Sequence, residues 1–294
     1  MSFERVNVQT PSTVAARTFL GDAFRRLRRA PGAVVGLGIV LAIALLALAA
    51  PVVAHYDPLA QNLASPKTPP SLAHLFGTDA LGRDLFARTL YGARISIAIG
   101  FVSVGIAIVS GTAIGVVAGY ARGPVDSVLM SAMDLMLAFP SIVLAIGITT
   151  LLGGSITSVM IAIGIVYVPQ YARLARSSVL AVREREYVEA ARSIGASSLQ
   201  IVGRHILPNI LAPLLVQATL GVATAELEAA GLSYLGLGAR PPTPEWGAML
   251  NDARDYWLSA PWALIVPGAS ITVLVLGFNL LGDGLRDAID PTAK

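Results

Sequence analysis

Six stretches of this chain are apolar for about twenty residues at a time, and the polar residues are crowded into the segments between them. The stretches run from Ala33 to Ala54, from Ile95 to Val117, from about Val128 to Leu152, from Ile156 to about Ala172, from about Ile206 to Ala230, and from Ala263 to Leu281. A helix rises about 1.5 Å per residue, so about 20 apolar residues cross a hydrocarbon core of about 30 Å. The alternating pattern of an outer-membrane barrel strand is absent. The pattern therefore predicts an all-α membrane protein with six transmembrane helices. It divides the chain into an N-terminal segment 1–32, a first span 33–54, a loop 55–94, a core 95–284 holding five spans, and a tail 285–294. The first stretch lies behind more than 30 residues. A signal peptide has a short basic segment and about 7–15 apolar residues, so this stretch is predicted to stay in place as a span.

Composition agrees with the pattern. Hydrophobic residues make up 55% of the 294 residues and charged residues 13%, and mean hydropathy is +0.70. An ordinary soluble domain has about 25% charged residues. This chain lacks the polar surface to stay in water alone, and it is too apolar to be disordered. It has no cysteine, which excludes disulfides, thiolate metal sites and cysteine nucleophiles. His55, His74 and His205 are scattered and form no metal-ligand spacing. No catalytic, cofactor-binding or metal-binding constellation is legible in this chain.

The basic residues orient the spans. With the N-terminus in the cytoplasm, fifteen of the 21 Lys and Arg fall on the cytoplasmic side. The positive-inside rule then predicts both termini inside and the segment Gly77–Arg83 outside. Arg25, Arg26, Arg28 and Arg29, just before the first span, form the strongest anchor. They are read as an anchor and not as a nucleic-acid site.

Within the spans, small residues and prolines mark packing and bending. Gly111, Gly115 and Gly119 make two overlapping G-x-x-x-G steps, which let helix backbones approach closely in lipid. Pro140, Pro169, Pro213 and Pro267 lie inside spans, where each removes a backbone donor and can kink its helix. The acidic residues Asp134, Glu226 and Glu228 sit toward span ends. A secondary transporter would place such groups near the midplane, within an inverted repeat, and a membrane enzyme would need a nucleophile–base or metal constellation. Glu226 and Glu228 are two residues apart, about 200° around a helix, so they face different surroundings.

The segment between the fourth and fifth spans, 183–206, carries the most structure. Tyr187, Ala190, Ala191 and Ile194 recur at helical spacing. Gly195 is placed to end that helix. Ser197 and Gln200 have the spacing of a capping box that opens a second short helix, with Leu199 and Val202 as its apolar stripe. Pro208 is expected to separate this helix from the fifth span. The segment is thus predicted to be a cytoplasmic helix-turn-helix. Taken alone, it would also suit an amphipathic pair resting on lipid headgroups.

Glu189-Ala190-Ala191, Gly195 and Leu207-Pro208 resemble the EAA loop of ABC-importer permease subunits, whose pattern is EAA-x3-G-x9-I-x-L-P. The Ile position departs, being His205 with Ile206 beside it. Three more strings resemble the second permease subunit of the dipeptide/oligopeptide group: Phe76 to Arg88, Glu228 to Gly238 followed by Pro241 to Gly247, and Gly282 to Pro291. The segment Leu129 to Asp134 departs, because an Arg is expected near Ser131. The resemblance implies a permease subunit of a binding-protein-dependent importer that forms half of the channel for short peptides. Related importers of this branch serve nickel chelates, glutathione and other small solutes. It implies as partners a second homologous permease, two ABC ATPase subunits, an extracytoplasmic solute-binding protein and membrane lipid, in a prokaryotic plasma membrane. No G-x-x-x-x-G-K-[ST] string occurs, so ATP and Mg are expected on the partner ATPases and no cofactor on this chain. The residues implied for ATPase coupling are Glu189, Ala190, Ala191, Gly195, Leu207 and Pro208. Glu228 and Asp134 are expected either on the translocation path or in structural ion pairs.

Overall fold

The computed structural model describes residues 30–289. Among them every regular element is helical. Helix α1 is Pro31–Val53. Pro31, which has no N–H to leave unsatisfied, starts it. Its leucines face outward, and it buries only Ala33, Gly36, Ala47 and Ala50. The small face meets the last helix, α10 (Trp262–Ile289); a Cβ on Gly36 would lie 2.7 Å from the Gly277 carbonyl oxygen.

Helix α2, Leu85–Ala121, has 37 residues, about 56 Å of helix and nearly twice a hydrocarbon core. It begins ten residues before the apolar stretch because the Asp84 carboxylate accepts from the Ala87 N–H at 2.7 Å, an N-cap. Arg88 and Arg94 in its first turns hide this extension from a hydropathy reading. Helix α5, Ile156–Arg183, is capped by Ser155. It runs 11 residues past the expected end at Ala172. In this extension Arg173 and Arg176 face carboxylates of the preceding helical segment, Asp134 and Asp126.

The pairing of α2 with α5 is the backbone of the bundle. Gly111, Gly115 and Gly119 lie on the contact, where added Cβ atoms would come within 2.7 Å of the Val168 oxygen, 2.3 Å of the Ala172 oxygen and 3.0 Å of the Arg176 oxygen. Across the same helices, Gly164 would meet Ile106 at 2.8 Å. The G-x-x-x-G steps are therefore a specific packing face.

Two of the expected boundaries differ. The third apolar stretch is not one straight span. It forms α3 (Gly123–Leu137) and α4 (Ser141–Leu151), bent by 93° at the break. Pro140 cannot donate to the ladder and disfavours a helical Phe139, so the chain turns there. Five single helices are long and apolar enough to cross a membrane, and the broken pair makes a sixth when it is counted as one span. The second difference concerns Pro208, which was expected to detach the cytoplasmic helix from the fifth span. The short helix α7 (Ser198–Ile201) instead passes through a π-turn, Val202–Ile206, into α8 (Leu207–Tyr234). The helix is continuous over 37 residues. The π-turn bonds Leu207 N–H back to the Val202 oxygen. This wider backbone accommodates a proline at the first turn of α8, where no donor is required.

At one end of the bundle, the loop 54–84 and the short helix α9, Trp246–Ala253, form a cap over the ends of α2 and α10. The Trp246 indole donates to the Thr89 oxygen and the Trp262 indole to the Thr78 oxygen, each at 3.1 Å. The remaining short helix, α6 (Glu186–Ser193), lies beside α7 at the opposite end.

Candidate functional site

At the end of the bundle opposite the cap, α6 and α7 form a tight corner whose turns are both fully bonded. Gly195 has φ +86°, a conformation that disfavours a Cβ. Its N–H donates to Arg192 O at 3.0 Å, and the Ala196 N–H donates to Ala191 O at 3.1 Å. This is a Schellman closure. Ser197 then starts α7 with both arms of a capping box, Ser197 N–H to Gln200 Oε1 at 2.9 Å and Gln200 N–H to Ser197 Oγ at 3.4 Å. Both features follow from the spacing in the sequence.

The apolar stripes of this segment point the other way from the simplest expectation. The buried anchors are Val188, Ala191, Ile201 and Ile206. Tyr187 is exposed, and Ile194 and Leu199 are 86% and 83% exposed. Glu189, Ala190 and Gly195 share the exposed side, with Pro208 exposed and Leu207 half-buried. The apolar stripe at Tyr187, Ile194 and Leu199 is thus an unpartnered surface and not a core face, and clustered exposed apolar side chains mark interaction sites. His205, in the position the motif gives to Ile, lies beside the Tyr187 ring at 6.1 Å between centroids. Ile206 supplies the buried contact in its place.

This corner is tied at both ends. Only Glu184 and Arg185 separate α6 from α5, and α7 runs on into α8. Arg183 closes the end of α2 by donating to Gly119 O and Tyr120 O at 3.0 and 2.9 Å, and Arg122 pairs with Glu184. The corner is thereby connected to α2, α5 and α8.

A second group of polar residues lies along the helices. Arg176 on α5 forks onto Asp126 of α3 with two bonds at 2.5 and 2.6 Å. Arg173, one turn away, donates a single bond to Asp134 at 2.6 Å, and both side chains are more than half exposed. The arginine missing near Ser131 is therefore replaced from another helix, which sequence separation concealed. Glu228 on α8 accepts from the Ser141 hydroxyl at 2.9 Å, at the start of α4 just after the bend. The Tyr167 hydroxyl lies beside it. No salt bridge reaches Glu228 among the described residues, and its second carboxylate oxygen is covered and without a hydrogen-bond partner there. Glu226, expected to face elsewhere, is 1% exposed, and neither of its carboxylate oxygens has a partner; the nearby Ser96 hydroxyl is also unpartnered.

The cap over α2 and α10 contains a cluster that the sequence did not point out. Asp79 accepts from the Leu81 and Arg83 N–H groups at 2.9 Å and from the Arg83 guanidinium. Arg83 also reaches Asp252 at 3.2 Å, and Arg88 donates to the carbonyls of Pro58 and Pro242. Asp79, Arg83 and Arg88 are each no more than 3% exposed. Burial beside Asp79 pushes the Tyr256 hydroxyl up to about 12. Glu245 caps α9 through the Gly247 and Ala248 N–H groups; burial raises its carboxyl, against the pull of those two bonds. The strings Phe76–Arg88 and Pro241–Gly247, distant in sequence, thus meet as one buried polar lock. Only their covariation in many sequences would have shown this beforehand. Among the described residues no group of acidic and histidine side chains is arranged to hold a metal.

Long apolar helices, a broken span with polar partners and a rigid corner slung beneath two spans define a multi-pass membrane permease subunit. Residues 111–294 match the model of the binding-protein-dependent transport system inner membrane component, and residues 18–70 match the N-terminal TM domain of oligopeptide transport permease C. The chain belongs to this family. It is 49% identical over 273 residues to the dipeptide transport system permease protein DppC of Alkalihalophilus pseudofirmus, covering 93% of this chain and 90% of the relative. It is 45% identical over 281 residues to the glutathione transport system permease protein GsiD of Escherichia coli, covering 95% and 92%. Its fold is that of a chain in an inward-facing MetNI methionine ABC transporter, with TM-score 0.57 at 22% identity, covering 69% of this chain and 96% of that one.

Proposed function

We propose that this chain forms one half of the translocation pathway of an ATP-driven importer for short peptides. Two ABC ATPases, a second homologous permease and an extracytoplasmic binding protein complete the machine. The carrying observation is the corner of α6 and α7: it exposes Tyr187, Ile194 and Leu199 beside Glu189 and Ala190 while its buried side is anchored to the bundle. A rigid projection of this kind, fixed to α5 and α8, transmits a rigid-body movement of an ATPase to the spans. ATP and Mg act on those partners, and this chain contributes the motion of its helices and no chemistry. Glu189, Ala190 and Gly195 form the contact, Ala191 anchors the corner from its buried side, and Leu207 and Pro208 form the junction to α8. Both termini lie in the cytoplasm of a prokaryotic cell and the outer cap faces the binding protein, as the charge asymmetry directs. Glu228 and Asp134 line the aqueous path: Asp134 is exposed beside Arg173, Glu228 is half-buried against the Ser141 hydroxyl, and a charge facing lipid is costly.

The peptide reading draws support from the dipeptide permease relative. The glutathione permease relative supports a second reading, in which the cargo is a thiol tripeptide. Assembling the four membrane subunits in proteoliposomes with the cognate binding protein tests both. The peptide reading expects ATP-dependent uptake of a labelled dipeptide and a short peptide bound to the purified binding protein. Uptake of glutathione alone would replace it with the second reading.

A further inference from the structure

Helices α2 and α8 meet along a seam of small residues. On α2 the seam runs through Gly92, Ser96 and Gly100, one helical turn apart. A Cβ on Gly100 would lie 2.6 Å from the Val222 side chain of α8, and one on Gly92 would lie 2.6 Å from the Trp246 indole nitrogen. Between these two close contacts sit Ser96 and Glu226, each 1% exposed. The Ser96 hydroxyl lies beside the Glu226 carboxyl. Among the described residues neither the hydroxyl nor either carboxyl oxygen has a hydrogen-bond partner.

No cation compensates this carboxyl. The elements packed against α8 are α2, α4, α5, α9 and α10. On α2, Arg94 is exposed over the Tyr91 ring and Arg88 is bonded to the carbonyls of Pro58 and Pro242. Helix α4 holds no charged residue, and α10 holds none from Trp262 to Gly282. On α5, Tyr167 lies beside Glu228, and Tyr171 donates to the Gln217 oxygen. At the start of α9 stands Glu245, a second carboxyl acting on Glu226. It accepts from the Gly247 and Ala248 N–H groups at 2.8 Å each, so of the two it is the one equipped to carry a negative charge. An ionised Glu226 only accepts, and Ser96 is the sole donor beside it. One added proton changes this: the carboxyl O–H donates to Ser96 Oγ while the carboxyl C=O accepts from the Ser96 O–H.

We propose that Glu226 is a proton-binding site that latches the seam of α2 and α8: the neutral acid bonds to Ser96 while the seam is closed, and it ionises when water enters. On opening, the carboxyl O–H bond breaks, the proton passes to the entering water, and a hydrated carboxylate remains. The closed seam binds the proton more tightly than the open one, so a rise in pH favours opening and a fall favours closure. The latch belongs to this chain alone and does not depend on the cargo.

The test takes infrared spectra of the full-length chain in lipid at neutral pH. Wild type minus Glu226→Gln should show the C=O stretch of a protonated carboxyl. Ser96→Ala, which keeps Glu226, should move that band to higher frequency as its hydrogen bond is lost. A difference spectrum with carboxylate bands only, or a band that Ser96→Ala leaves in place, overturns the site. The latch is read from melting curves of the purified full-length chain. Between about pH 6 and pH 8 the folded-to-unfolded ratio of wild type should fall about tenfold per unit relative to Glu226→Gln, lowering its melting temperature by several degrees. Glu245 and the histidines are common to both proteins, so the difference isolates Glu226. Parallel curves overturn the latch.

Discussion

At the scale of single residues, the molecule separates groups held by partners from groups that stand free. Arg83 and Asp79 are buried together and bonded to each other. Removing one partner of such a pair costs about 3–5 kcal/mol, because the other is left as an uncompensated buried charge. Arg83→Ala should therefore loosen the outer cap, seen as faster protease cleavage in the loop 54–84; unchanged cleavage would show the cap is held elsewhere. Glu226 is the opposite case. Among the described residues only the Ser96 hydroxyl lies beside its buried carboxylate and no cation pairs with it, so Glu226→Gln should leave the melting temperature of the purified chain unchanged or higher. A loss of several degrees would reveal a partner that the structure does not show. Hydropathy and charge made Glu226, Glu228 and Asp134 visible as candidates. Their roles were not legible, because Ser141 and Arg173 come from other helices and only the fold brings them close.

At the scale of elements, helix faces were readable where local chemistry decides them and unreadable where packing does. Gly195, Ser197 and Gln200 form turns from contacts within a few residues, and the sequence announced them. The direction of the Tyr187–Ile194–Leu199 stripe was not announced, since an apolar stripe looks the same whether its cover is this chain or a partner. The Pro208 boundary failed for a related reason: a π-turn of five residues absorbs the proline, and nothing in the local sequence distinguishes that from a break. The α2–α5 contact offers a direct test. Gly115 has no room for a Cβ, whereas a Cβ on Gly105 of the same helix meets nothing within 4 Å. Gly115→Leu should destabilise by at least the ~1–3 kcal/mol of overpacking, read as a lower melting temperature and lower yield in membranes. Gly105→Leu should behave as wild type. Equal effects would mean that the stripe is not the packing face.

At the scale of the whole molecule, a polar lock closes one end, a glycine-packed helix pair forms the middle, and a corner projects from the opposite end. Membrane class and span number were legible because about twenty apolar residues have few other uses. The broken third span and the outer lock were not, since each depends on contacts across the fold. The topology is checked by single cysteines replacing Ser71 and Ser197, both exposed, in a chain with no other cysteine. An impermeant thiol reagent should label the first from outside intact cells and the second only after permeabilisation. Labelling of the second from outside would invert the molecule.

The central claim is that the α6–α7 corner couples ATP hydrolysis to the spans. It is tested by measuring ATPase activity, with and without loaded binding protein, alongside uptake in the reconstituted four-subunit complex carrying Gly195→Val or Glu189→Lys. A Cβ-branched residue at φ +86° strains the turn by about 1–3 kcal/mol, and the lysine reverses the charge on the exposed contact surface. Both variants should insert and bind the second permease normally, yet lose ATPase docking or hydrolyse ATP without transport. Wild-type stimulation and wild-type uptake in both variants would contradict the account.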